Sequence, residues 1–265
     1  MLREIKFALY AIKKNIQSSA ELRTSFLMTI VGMALNNTSF IILWVFFAQA
    51  VGTINGWTAI DVVGLQGFST ISFGLVMSAG IGIRKIADYV VQGTFDRFML
   101  SPKDLLLRTA TSSFNTAALG DILSGAVCLV IFALGIHASM AQLGLIVFLI
   151  FIATLMSLAV ILVIFSTSFF FPNNPSTISN GLFELFLTPS LFHGGAIQGA
   201  LRFVLTFIVP ALAVGALPVE VVRSISLEKI LSLTALAIVW FLFSVWYFNR
   251  AVRRYESANF MTFGG

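Results

Sequence analysis

The sequence predicts an all-α integral membrane protein, and three observations carry that reading. Apolar residues fill 58% of the 265 positions and charged ones only 10%, whereas a soluble domain carries about a quarter charged residues. The charges also leave four long gaps, with no Asp, Glu, Lys or Arg from Thr24 to Ile60, Val62 to Ile83, Ile122 to Phe183, or Ile230 to Asn249. Each gap can cross a bilayer, which takes ~20 apolar residues at a rise of 1.5 Å. Finally, the basic residues stand at the ends of the apolar stretches. A net charge of +5 distributed that way orients membrane helices and argues against a nucleic-acid partner, which needs a basic face on a folded domain.

Taken in order, residues 1–24 read as an amphipathic helix. Leu2, Ile5, Leu9, Ile12 and Ile16 recur at helical spacing, with Arg3, Lys6, Lys13 and Lys14 off the stripe, as suits a helix lying on the membrane surface. The plainer alternative is a basic flank that orients the first span. Hydropathy then places six transmembrane helices near 25–50, 62–83, 114–136, 142–171, 202–217 and 230–248. Ala48-Gln49-Ala50 has the form of a signal-peptide cleavage site, but the apolar stretch before it exceeds the ~7–15 residues of a signal core, so it reads as a retained helix. Residues 178–193 form a second in-plane candidate, too short to cross, interrupted by Glu184 and ended by Gly194-Gly195. No soluble domain of ~50 residues fits between the spans, so 1–265 reads as one transmembrane domain.

Six spans put both termini on one side, and the basic residues say which. Arg3, Lys6, Lys13, Lys14 and Arg23 precede span one, and Arg84, Lys85, Arg97, Lys103 and Arg108 lie between spans two and three. Arg250, Arg253 and Arg254 follow span six, and Arg202 opens span five. The opposite loops hold only Arg223 and Lys229. Fourteen against two places both termini in the cytoplasm.

Little in the chain suits catalysis. His137 and His193 have no cysteine or acidic cluster beside them in sequence, and the lone Cys128 sits in an apolar run and reads as a packed thiol. There is no Gly-x-x-x-x-Gly-Lys-Ser/Thr phosphate loop, and Gly80-Ile81-Gly82-Ile83-Arg84-Lys85 has the wrong spacing for one. Any ATP would have to be bound, with its magnesium, by a separate chain, and the reading assigns this chain no cofactor. Asp121 in span three is the one ionisable candidate inside a span, and close to the interface it reads as hydrated or hydrogen-bonded. Small residues on the same span, Gly120, Ser124 and Gly125, suit close helix approach.

The informative segment is the cytoplasmic loop 84–110. Gly93 breaks the chain there, and Ser101-Pro102-Lys103-Asp104 reads as a capping serine followed by proline at the first position of a new helix. Between them Thr94–Leu100 makes about two turns, with Phe95, Phe98 and Met99 on one edge and Asp96 and Arg97 beside it. An ordinary polar loop with a capped helix is the alternative. Gly93, Asp96, Phe98 to Leu100 and Pro102 resemble the loop of the ABC-2 type permeases, and Phe203 through Pro218 is similar to the fifth-helix signature of one of their branches. The Glu-Ala-Ala loop of importer permeases fits Ala87-Asp88 and Gly93 poorly.

That resemblance implies a short coupling helix between spans two and three that docks into an ATPase subunit, with Gly93, Phe95, Asp96, Arg97, Phe98 and Pro102 as the docking residues. It implies a non-enzymatic permease of an ABC exporter in the plasma membrane of a prokaryote, paired with a second permease subunit, identical or related. An ion-coupled transporter, a channel and a membrane scaffold are the alternatives that composition leaves open. Twenty-seven phenylalanines suit an amphipathic cargo and equally a lipid-facing surface.

Overall fold

The computed structural model describes residues 2–100, 102–171 and 173–255, and among them every regular element is helical. The elements are α1 (Leu2–Ala20), α2 (Arg23–Val51), α3 (Ala59–Ala79), α4 (Ile81–Arg84), α5 (Ile86–Val91), α6 (Asp96–Met99), α7 (Leu105–Ala110), α8 (Ala117–Gly135), α9 (Met140–Ser166), α10 (Pro175–Ser190), α11 (Gly199–Phe203), α12 (Ala216–Arg223) and α13 (Leu227–Val252). Five of these, α2, α3, α8, α9 and α13, are long and apolar enough to cross a membrane. They correspond to the expected spans one, two, three, four and six. Even α8, at 19 residues, covers ~28 Å, close to the hydrocarbon thickness.

The bundle has two ends. One carries α1, the 84–112 segment and the end of α13; the other carries the α2–α3 connection, where Thr58 and Asp61 cap α3 reciprocally. Helices α3 and α8 run antiparallel at close range because glycines face them. A methyl group on Gly125 would stand 2.6 Å from the backbone nitrogen of Ile71, and one on Gly67 2.8 Å from Leu129. Gly120 lets α2 approach in the same way, meeting Met33 and Ala34. The small residues of span three are therefore taken up inside this chain.

The fifth span departs from expectation. Residues 202–217 do not form one helix: α11 passes into a π-helical turn over Val204–Ile208, the chain turns irregularly at Pro210, and α12 returns. Arg223 donates to the Gly56 carbonyl at the α2–α3 end, and Arg202 lines the same cavity and pairs with Glu220, while residue 215 lies against Ser69 and Ser190. The segment is thus a re-entrant hairpin that dips into the bundle and comes back. Hydropathy counts such a dip as a crossing, since both are apolar. Moving Arg202 across changes the charge count from fourteen against two to thirteen against three.

Segment 178–193, expected to lie in the membrane plane, instead packs along the bundle with one face buried, as most of α10. Phe183 and Phe186 are buried and meet the ring of Phe73, and Phe183 also meets Phe165. Ser176 bonds Asp88 at one end, and at the other Ser69 donates to the Ser190 carbonyl at 2.9 Å. Sixteen residues span ~24 Å. The ring of His193 then packs at a tilt against Trp57, 5.2 Å away.

Candidate functional site

Residues 84–100 and 102–112 are held by helices, caps and tertiary hydrogen bonds. Helix α5 ends on Gly93, whose φ of 62° favours glycine. Gly93 donates to the Val90 carbonyl and Thr94 to the Tyr89 carbonyl, the paired bonds of a Schellman stop. The next helix, α6, is a single turn of four residues, shorter than the two turns expected. Helix α7 begins at Leu105, not at Pro102, because Asp104 is its cap: the carboxylate accepts from Leu107 N at 2.8 Å. Ser101, the expected cap, lies outside the described residues. Pro102 is exposed.

Phe95 and Phe98 do not form the exposed edge that their spacing suggested. Phe95 is fully buried, with its ring 4.9 Å from Phe169, 5.2 Å from Tyr255 and 5.8 Å from Phe98. Phe98 is buried against Tyr89 at 5.0 Å, and the Arg97 guanidinium stacks over both rings. Arg108 donates to the Phe98 carbonyl. Asp96 sits beside Tyr255, whose hydroxyl is pushed up to about 12 by its burial and then by the Asp96 charge. Beside the exposed Arg97 and Pro102, the loop exposes Met99 at 48% and Leu100 at 86%. The aromatic pair anchors a tip that ends in two aliphatic side chains.

Helix α1 clamps this loop from the side. Asn15 donates to the Thr111 carbonyl at 3.0 Å, Glu4 accepts from the Asp104 amide, and Lys103 lies over the Phe7 ring. The contact face is Glu4, Phe7, Ala11 and Asn15, so Leu9 and Ile16 point away and stay exposed. The side chains of Leu2 and Ile5 lie outside the description. Between helix and loop runs a cleft of about 340 Å³ lined by Lys14, Arg97 and Arg108.

Two helices of the bundle turn polar faces outward. On α10 the buried row Ser179, Phe183, Phe186 and Ser190 has Thr177, Asn180, Glu184 and Thr188 exposed on the opposite side. On α2, Ser25, Thr29, Gly32, Asn36 and Ser39 are exposed at alternating steps of four and three. Thr29 and Ser39 return their hydroxyls to their own helix, but Asn36 finds no hydrogen bond among the described residues. Its neighbour Asn37 does, donating to Asp121 at 2.7 Å and to Ser124 at 2.9 Å. Asp121 is therefore a bonded carboxylate, as its position suggested. Trp44 of α2 packs edge-on to Phe192, just past the end of α10, with the rings 5.5 Å apart. Sequence reading missed the α2 face because a row of serine, threonine and asparagine leaves the hydropathy of a span almost untouched; the step of four and three was the available signal.

The sequence model of a family described as ABC-2 family transporter protein matches residues 33–259. No curated protein and no solved structure matches the chain.

Proposed function

Since the chain belongs to the ABC-2 transporter family, we propose that it is a membrane transport subunit without catalysis of its own and that it forms half of the pathway of an ATP-driven exporter. The observation that carries this reading is the loop tip. A turn anchored by the fully buried Phe95 and clamped by α1 holds Met99 and Leu100 outside the bundle. Exposed aliphatic side chains on a rigid support are what a partner ATPase can grip, since little ordering entropy is lost on binding. Gly93, Asp96, Arg97 and Pro102 shape and flank the tip, and Phe95 and Phe98 hold it.

In this reading α10 is the fifth of six crossings, both termini and the tip face the cytoplasm of a prokaryotic cell, and α1 rests on the inner leaflet through Leu9 and Ile16. A polar outward face with an exposed carboxylate at Glu184 suits neither hydrocarbon nor a lone subunit. The α2 and α10 faces support a mate across them, a second permease subunit of identical or related sequence, with the transport path between. Asparagine in a membrane helix favours association by hydrogen bonding across helices.

The test is co-expression with an ABC ATPase subunit from the same genome. The pair is expected to purify together and to hydrolyse ATP, while this chain alone hydrolyses none. Thr53→Cys should react with an impermeant thiol reagent in intact cells and Leu100→Cys should not. The opposite labelling overturns the orientation, and failure of the pair to associate overturns the docking.

A further inference from the structure

The re-entrant hairpin encloses a cleft of two characters. At the α2–α3 end lies a polar chamber of about 460 Å³ lined by Asn55, Trp57, Arg202, Glu220, Arg223 and Lys229. Arg202 is paired with Glu220 at 2.7 Å, and Arg223 with the fully buried Asp61 at 2.7 Å. Lys229 meets only the Ser224 hydroxyl, at 2.8 Å, and among the described residues pairs with no carboxylate. Three cations against two carboxylates leave the chamber one positive charge in excess.

A second cavity of about 230 Å³ continues from the first and shares Arg202, Glu220 and Lys229 with it. Its remaining walls are mainly apolar, with Phe207 and Leu217 on the hairpin and Leu233 and Leu236 on α13. It follows α13 for seven residues below Lys229, roughly 10 Å at the helical rise. Trp240 stands further down α13, where its indole donates to the Phe207 carbonyl. A cationic mouth that opens into an apolar groove at membrane depth matches a molecule with an anionic head and a hydrocarbon tail.

We propose that this composite cleft binds one anionic phospholipid, its phosphate between Lys229 and Arg202 and one acyl chain in the groove between hairpin and α13. A free phosphate would use the chamber but leave the groove without a function. Charge decides against a zwitterionic lipid, whose headgroup brings no net negative charge to the excess cation. The site is at the opposite end of the bundle from the docking loop, so binding is measured on this chain alone and does not depend on the ATPase.

The experiment is native mass spectrometry of the purified chain in detergent, titrated with phosphatidylglycerol, phosphatidylcholine or inorganic phosphate. Lys229→Gln and Ser232→Trp are compared with the parent; Ser232 is an exposed groove residue, so its indole plugs the groove without entering the core. The parent is expected to retain one phosphatidylglycerol in preference to phosphatidylcholine. Lys229→Gln should lose about fivefold of that preference, the worth of one lysine at an anionic headgroup, and Ser232→Trp should lose retention of the lipid altogether. Equal retention of the two lipids, or retention unaffected by either substitution, overturns the site. Phosphate that displaces the lipid and binds Ser232→Trp as well as the parent shows a free-anion site instead.

Discussion

Leu100→Asp and Phe95→Ala should fail in opposite ways. Leu100 is 86% exposed, and full burial of a leucine stabilises by ~1.5–3 kcal/mol. The surface still open to a partner therefore contributes roughly 1.3–2.6 kcal/mol, which sets a loss of about tenfold to eightyfold in ATPase affinity when the side chain becomes a carboxylate. The fold should not register that change. Phe95 is the reverse: with no surface exposed and three rings around it, its truncation costs about 3–5 kcal/mol of stability. The chain carries its own reporter, since Cys128 is its one cysteine and is buried on α8. A thiol dye that fluoresces on reaction reads unfolding by heat, and a pull-down against the ATPase reads docking. Leu100→Asp should melt with the parent and lose the ATPase; Phe95→Ala should expose Cys128 several degrees earlier. If Leu100→Asp binds the ATPase with parental affinity, the tip is not the docking surface. If Phe95→Ala melts with the parent, the aromatic cluster does not hold the loop.

Asn36→Leu should weaken association between two permease subunits, and Asn36→Cys in a Cys128→Ser background should cross-link them; no cross-link in membranes removes the α2 face from the interface. Arg202→Ala should lower the melting temperature more than Arg202→Ala with Glu220→Ala, because the single change strands a partly buried carboxylate that the double change removes; equal losses would mean that the pair is solvated. Burial holds His193 below the ordinary histidine value, opposed by the Asp61 charge. A group depressed in the folded state gives stability that is present above about pH 6.5 and is lost as the pH falls through its folded value. The parent should therefore lose more melting temperature on acidification than His193→Gln, and parallel losses would refute the assignment.

Five spans were legible because an apolar run of about twenty residues is long enough to cross a bilayer as a helix. The break at Gly93 was legible too, since a helix that stops there needs a left-handed residue. The direction of Phe95 and Phe98 was not. Spacing of three shows that two rings share a face, but it does not name what covers the face, and here the cover comes from Phe169 and Tyr255, far along the chain. Helix α10 was missed for a related reason. Sixteen residues with a glutamate in their midst score poorly as a crossing, although the glutamate lies on the outward face and the opposite row is buried. Average hydropathy discards that asymmetry, which a period of 3.6 in the polar residues retains.

The hairpin shows what a membrane demands of a chain that does not cross it. Backbone groups at that depth have no water to bond, so irregular structure survives there only when the protein satisfies it. Pro210 has no amide to satisfy, and past it Leu212 donates to the Leu205 carbonyl at 3.0 Å and Leu217 to the Leu212 carbonyl at 2.9 Å. Ala211, Leu212, Ala213 and Val214 are wholly buried, so the turn is enclosed by protein. Its seat on α3 and α10 needs Gly215: a methyl there would meet Ser69 Oγ and come within 3.1 Å of the Ser190 carbonyl. The backbone oxygen cannot rotate away as a side chain can. The mouth needs the opposite chemistry. Arg202 and Glu220 stand 18 residues apart in sequence, one on each limb, and their pairing brings the limbs together where water returns. An apolar tip between two facing charges of opposite sign is therefore the pattern that separates a dip from a crossing, since a true fifth span would leave Arg202 and Glu220 with a bilayer between them.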